Sequence, residues 1–229
     1  MIKNKIGKLI VIEGTDGSGK ATQSKLLIRR LKKEGYAVKL LDFPQYGKPS
    51  CGAVEKYLNG KYGSSHDVGP YRASIFYAVD RFDASFKLKK WLLQGNIVIA
   101  NRYVASNLAH QGGSIANPEE RKKYIAWDSG LEYNIFQIPK PAANIILFVP
   151  AEISQQLVDH KGFRKYLKGK KRDILEADIR HLKNAENAYQ ELAKLFPQNY
   201  TLIPCSENNT IMSREKISDL VWNEIKKIL

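Results

Sequence analysis

Sulfur is scarce in this chain. Of its 229 residues, two are cysteines, Cys51 and Cys205, and two are methionines. Two isolated thiols give neither a disulfide framework nor the paired spacing of a zinc or redox site, and a reducing, cytoplasmic setting suits them. Long apolar runs are also missing. No stretch approaches the roughly 18–20 residues that cross a bilayer, so no membrane partner is expected. The apolar run Leu9–Ile12 follows a basic start but is too short for a signal-peptide core and leads straight into a glycine loop; it is read as a buried strand. Histidine is sparse as well. His66, His160 and His181 show no metal-ligand spacing and are expected on the surface or in local contacts.

Acidic residues are outnumbered, 23 against 37 Lys and Arg, which gives a net charge of +14. Such a balance suits nucleic acid, anionic membrane or small polyanionic ligands such as nucleotides. The chain shows no recognition-helix module and no basic stripe interleaved with exposed aromatics, so no nucleic-acid partner is expected. Part of the excess is local: Lys161 to Arg172 holds seven Lys or Arg in twelve residues.

Five short runs rich in Ile, Val and Leu stand out: Leu9–Ile12, Val38–Leu41, Ile97–Ala100, Ile145–Val149 and Tyr200–Ile203. They alternate little, as strands buried on both faces of a parallel sheet do. Helical periodicity fills the gaps at Lys20–Glu34, Val68–Gln94, Ile174–Phe196 and along a C-terminal stripe from Ile217 to Ile228. In the second of these, Ile75, Phe76, Val79, Phe82 and Phe86 recur at helical spacing. The alternation predicts a doubly wound, five-stranded parallel α/β sheet with helices on both faces. Without a repeat, a Pro/Ser-rich linker or a low-complexity segment, residues 1–229 read as one domain.

Between the first strand and the first helix lies Gly14-Thr15-Asp16-Gly17-Ser18-Gly19-Lys20-Ala21, which matches the G-x-x-x-x-G-K phosphate loop in its required context. Glycines let successive backbone N–H groups converge on phosphate oxygens, the helix N-terminus adds positive potential, and Lys20 reaches the β- and γ-phosphates. The Ser or Thr that ends the motif and ligates magnesium is replaced by Ala21. Thr22 follows, turned by about 100° on a helix. Magnesium is therefore expected on phosphate oxygens, water and a carboxylate, either Asp16 or Glu13.

Five segments in order, Glu13–Lys20, Phe43-Pro-Gln-Tyr46, Tyr77-Ala-Val-Asp-Arg81, Asn101-Arg-Tyr-Val-Ala-Ser-Asn107 and Pro139-Lys-Pro141, make the chain resemble the thymidylate kinases nearly end to end. The resemblance implies a P-loop kinase of nucleoside monophosphates that uses ATP and Mg2+, works as a homodimer, and converts dTMP to dTDP. It implies that Phe43 and Tyr46 wall the acceptor site, Tyr77 stacks on the base, and Arg81, four residues on and so on the same helix face, bonds its edge. Arg102 would hold the acceptor phosphate bidentately. Asn107 would read the thymine edge, and His110 and Gln111 would lie near the sugar. Asp16 would sit between donor and acceptor. Two departures neutralise or replace charges that the family usually carries: Asn101 stands for Asp, and Gln45 for Arg.

The basic run Lys161–Arg172 lies where kinases of this size carry a lid over ATP, about residues 161–173. Because the phosphate loop has no arginine between Thr15 and Ser18, the resemblance implies lid arginines, with Arg164 and Arg172 as the candidates. Asp173 and Glu176 match acidic positions just beyond it. Tyr77, Arg81 and Asn107 leave other pyrimidine monophosphates open as acceptors. Ala21 and Asn101 leave open a nucleotide-binding protein without catalysis.

Overall fold

The chain is described by a computed structural model over residues 6–159, 173–208 and 210–229. The five expected strands form, each extended by a residue or shifted slightly: β1 (Leu9–Glu13), β2 (Val38–Asp42), β3 (Ile97–Asn101), β4 (Ala143–Phe148) and β5 (Tyr200–Pro204). All pair in parallel, in the order β2-β3-β1-β4-β5. The chain therefore moves outward on both sides of β1. Open sheets of this kind bind ligands in the crevice at the carboxyl ends of the strands where the order reverses, here beyond β1, β3 and β4.

Around the sheet lie α1 (Lys20–Lys33), α2 (Gly52–Leu58), α3 (Ser65–Leu93), α4 (Val104–His110), α5 (Pro118–Ser129), α6 (Ala151–Asp159), α7 (Ile179–Leu195) and α8 (Arg214–Ile225). A π-helical turn, Gly130–Ile135, continues α5, and a small hairpin joins β6 (Ser206–Glu207) to β7 (Thr210–Ile211). The strand side chains divide between two cores. Leu9, Val11, Val98 and Ala100 face α3, α4 and α7, packing on Leu88, Leu108 and Tyr189. Ile10, Ile12, Ile97, Ile99, Ile145 and Leu147 face α1 and α8, packing on Leu27, Leu31, Ile217 and Val221. Burial on both faces is why the central strands β1, β3 and β4 read as unbroken apolar runs, whereas the edge strand β2, expected to be buried on both faces, is largely exposed with Leu41 alone buried. Leu31 is fully buried in the second core. Leu31→Ala is expected to cost about 2–5 kcal/mol of stability, read as a lower urea midpoint with an unchanged slope.

Two helices depart from their sequence patterns. The pattern at Val68–Gln94 is extended at its start by a separate turn, Ser65–Val68, capped by reciprocal bonds between Ser64 and Asp67. Gly69 (φ 73°) breaks the ladder there, and Pro70 starts the main run. More important, Ile75, Val79, Phe82 and Phe86 face outward; the buried face of α3 is made of Ala73, Ser74, Ala78, Asp80, Arg81, Ala84, Ser85 and Leu88. The second departure is α7, which begins at Ile179 instead of Ile174 because Asp178 caps it, accepting from the backbone N–H groups of Arg180 and His181.

Candidate active site

The glycine loop connects β1 to α1 as its spacing requires. Gly19 takes a left-handed conformation (φ 84°) at the helix start, and no side chain caps the first turn, so its N–H groups remain available to an anion. Lys20 folds back over the loop, its Nζ donating to the Thr15 carbonyl at 2.8 Å. Ser154 of α6 braces the loop from outside: its hydroxyl donates to the Asp16 carbonyl at 2.6 Å and lies 3.0 Å from the Thr15 hydroxyl. A Cβ on Gly17 would stand 2.2 Å from the Ser154 carbonyl oxygen, so only glycine fits this approach.

A cavity of about 420 Å³ runs from the loop across the carboxyl edge of the sheet. Most of the expected residues meet in its wall: Asp16, Gly17, Gly19, Lys20, Ala21 and Thr22 at one end, and Phe43, Tyr46, Tyr77, Arg81, Asn107, His110 and Gln111 at the other. Arg102 lines the cavity between them. It holds a left-handed backbone conformation (φ 69°), a strained state for a side chain of this size. Its Nη2 pairs with Asp16 Oδ2 at 3.0 Å, while Nη1 donates to the Gly14 carbonyl, the Ser106 hydroxyl and His110 Nε2. Burial works against its charge, but Asp16, Tyr189 and Glu13 around it hold the guanidinium more firmly protonated than a free one.

Deeper in, Arg81 is almost fully buried and forms an ion pair with Glu132 of the π-helical turn: Nε lies 2.9 and 2.8 Å from the two carboxylate oxygens, and Nη2 bonds the first of them. Asn107 donates through Nδ2 to the Ser74 carbonyl (3.2 Å) and to Asp128 Oδ1 (3.0 Å). That fixes the amide's orientation and leaves its oxygen as the group with bonding capacity to spare. Burial first, and then the nearby Glu132, push the Asp128 carboxyl up to about 7. Tyr77 presents its ring to the cavity and packs edge-on against Tyr57 (centroids 6.4 Å apart, 87°). Phe76, one residue earlier, packs toward the cluster of Cys51, Val54 and Leu58.

Glu13 needs a correction. Its carboxylate is fully buried and spent on the protein: Oε1 accepts from the Tyr103 N–H at 2.7 Å, and Oε2 from the Ser106 and Tyr189 hydroxyls at 2.7 and 2.9 Å. It braces the loop that carries Arg102 and does not face the cavity as a metal ligand would. Desolvation raises its pKa despite these donors. Among the described residues no three His, Cys, Asp or Glu side chains gather as a metal cage. His181, read from sequence as surface or local, is buried against His110. Glu132, Asp128, Ser154 and Tyr189 were not anticipated, because their partners lie far along the chain. Arg164 and Arg172 fall outside the described residues.

A helix-opening phosphate loop facing, across one cavity, a clamped arginine and a pocket with one aromatic wall, one guanidinium and one oriented amide defines a P-loop nucleotide kinase. The family model described as thymidylate kinase matches residues 12–217. Thymidylate kinase of Mycobacterium tuberculosis is 30% identical over 186 residues, covering 81% of this chain and 85% of the relative. That of Caldanaerobacter subterraneus is 30% identical over 199 residues, covering 86% of each. A solved thymidylate kinase structure from Candida albicans superposes with a TM-score of 0.73 over 96% of this chain and 92% of that one, at 20% identity, a likeness of fold. The chain belongs to the thymidylate kinase family.

Proposed function

We propose that this protein transfers the γ-phosphoryl group of ATP to the phosphate of dTMP, giving ADP and dTDP. The observation that carries the reading is the single cavity in which the phosphate loop and Arg102 face the Tyr77–Arg81–Asn107 pocket. An oxygen of the acceptor phosphate attacks the γ-phosphorus while the bond to the β–γ bridging oxygen breaks, and the electron pair leaves on ADP. No general base is required, because a phosphate monoester with a second pKa near 6 is largely dianionic at neutral pH. The chain contributes positioning and charge. Loop N–H groups and Lys20 hold the β- and γ-phosphates, and Arg102 holds the acceptor phosphate with the edge of its fork that its protein partners leave open. Tyr77 stacks on the base. The Asn107 oxygen accepts from a pyrimidine N3–H and Arg81 donates toward a keto oxygen, an arrangement that favours thymine or uracil over cytosine, whose N3 is an acceptor.

Magnesium fits the donor set in the manner usual for nucleotide kinases, on substrate phosphates and one carboxylate. Asp16 lines the cavity, Thr22 stands beside Ala21, and the buried Asn101 Oδ1 in the cavity wall has no hydrogen-bond partner among the described residues. When bound, the ion would neutralise charge on the phosphates.

No helix of the described residues is long and apolar enough to cross a membrane. A cytoplasmic setting suits the two buried free thiols. The outward stripe of α3 supports a homodimer. Ile75, Val79, Phe82 and Phe86 are 41%, 42%, 37% and 63% exposed, in steps of four, three and four, with Ile135 alongside at 71%. One apolar helix face packing on its own copy about a twofold axis makes a closed, isologous interface. Phe86→Glu is expected to convert the dimer to monomer in sedimentation velocity; a monomeric wild type would count against the interface.

The acceptor assignment is tested by coupled ADP release with ATP, Mg2+ and each of dTMP, dUMP, dCMP, dAMP and dGMP. Turnover highest with dTMP and lowest with dCMP and the purines is expected. Equal rates with dCMP would remove the Asn107 argument.

A further inference from the structure

His110 ends α4, and His181 lies in the first turn of α7. Two glycines bring them together. A Cβ on Gly113 would stand 2.7 Å from the Asn184 carbonyl oxygen, so the turn after α4 lies directly on α7 only because that atom is missing. Gly112 likewise lies under the Tyr124 ring, with 2.9 Å to an added Cβ. The Asp178 cap fixes the backbone of His181 from the other side. The two imidazoles end up stacked (centroids 5.4 Å apart, 24°), with His110 Nδ1 3.2 Å from His181 Nε2. On its far side, His110 Nε2 is 2.9 Å from Arg102 Nη1.

Donor and acceptor chemistry then allows one arrangement. A guanidinium has only N–H donors, so His110 Nε2 must accept. His110 is therefore neutral with its proton on Nδ1, which donates to His181 Nε2. His181 is in turn neutral with its proton on Nδ1. Burial, followed by the Arg102 charge, disfavours the protonated form of His110, and burial does the same for His181. The other charged groups felt here are Asp16 and Lys20 on the phosphate loop and Asp178 at the start of α7. The ring edge of His110 is also held by Tyr189, at right angles and 5.9 Å away.

We infer that His181 is a positioning residue for the acceptor-phosphate arginine: it fixes the His110 tautomer whose Nε2 anchors Arg102 Nη1. With Nη1 turned to the Gly14 carbonyl, Ser106 and His110, and Nη2 paired to Asp16, Nε has no protein acceptor among the described residues. The Nε–Nη2 edge is then the one presented to an oxyanion. Losing the His181 acceptor lets His110 adopt the other tautomer, which points N–H against N–H at Arg102 and releases that anchor. The role rests on the phosphate-transfer reading, because it concerns the grip on the acceptor.

Two measurements test it. Nitrogen-15 NMR of histidine-labelled protein near pH 7.5 reads the tautomers without turnover. His110 protonated on Nδ1 and bare on Nε2 is expected, and an Nε2-protonated His110 would overturn the proposal. In kinetics, His181→Phe keeps the ring stack but removes the acceptor; the KM for dTMP should rise about tenfold, the scale of one hydrogen bond to a charged group, with the KM for ATP unchanged. His181→Gln offers an amide oxygen to His110 Nδ1 and should recover most of the loss. Equal KM values for dTMP in wild type and His181→Phe, or equal losses in the Phe and Gln variants, would overturn it. A wild type inactive on every acceptor but showing the stated tautomers would instead sink the phosphate-transfer reading.

Discussion

Arg102→Ala is expected to lower kcat/KM for dTMP by about 10³-fold while ATP binding stays close to wild type. Arg102 stands where the donor and acceptor ends of the cavity meet, and no other described cation takes its place between Asp16 and the base pocket. Its removal also takes one contact each from Asp16 Oδ2 and His110 Nε2. Arg102→Lys should recover little, because an ammonium cannot serve the Gly14 carbonyl, Ser106 and His110 together while pairing with Asp16 and a phosphate. Alanine keeps the Cβ that this left-handed backbone already accommodates, so the local strain is unchanged and the fold should survive, which circular dichroism checks. Steady-state kinetics with either substrate varied separates the outcomes. A loss that falls on ATP instead would place Arg102 on the donor side.

The second large effect is on stability. Glu132→Ala is expected to cost about 3–5 kcal/mol, because it strands a buried guanidinium without a counter-charge. Burial by itself disfavours the Arg81 charge; Glu132 does most to restore it, with Asp128 behind it. Replacing both partners by apolar residues, Arg81→Met with Glu132→Leu, should return most of that stability while still losing the preference for thymine over cytosine. Urea unfolding of Arg81→Met, of Glu132→Leu and of the double variant closes a double-mutant cycle. If Glu132→Ala unfolds at the wild-type midpoint, the pair does not hold the pocket together. If the double variant keeps the base preference, Arg81 does not read the base.

Much of the donor side was legible in the sequence because it is local. Strand, glycine loop and helix are consecutive, and the spacing alone places Lys20. Tyr77 and Arg81 share a helix face for the same reason. The supports of the acceptor side are different. Glu132 meets Arg81 across 51 residues, Asp128 meets Asn107 across 21, and His181 meets His110 across 71. In sequence each looks like an ordinary polar residue of a solvated helix. What reveals them is burial, which no local pattern encodes. Glu13 was misjudged for a related reason: a carboxylate at the end of a central strand suits a metal, and only the packing of Tyr103, Ser106 and Tyr189 around it shows it already committed. The stripe on α3 carries the converse lesson. An apolar helical period marks a face that wants covering, whether by the core or by another chain. Here the core takes Leu88 and the small residues Ala73, Ala78 and Ala84 with the Asp80 and Arg81 side chains, while Ile75, Val79, Phe82 and Phe86 are left outside.

The most direct test of the account is to follow the label from [γ-32P]ATP in the presence of Mg2+ and dTMP, with the wild type and Lys20→Ala side by side. Radiolabelled dTDP is expected from the wild type, formed in step with ADP, at a rate that falls about 10²-fold or more in the variant. Label appearing as inorganic phosphate with dTMP unchanged, or equal rates from the two proteins, would contradict it.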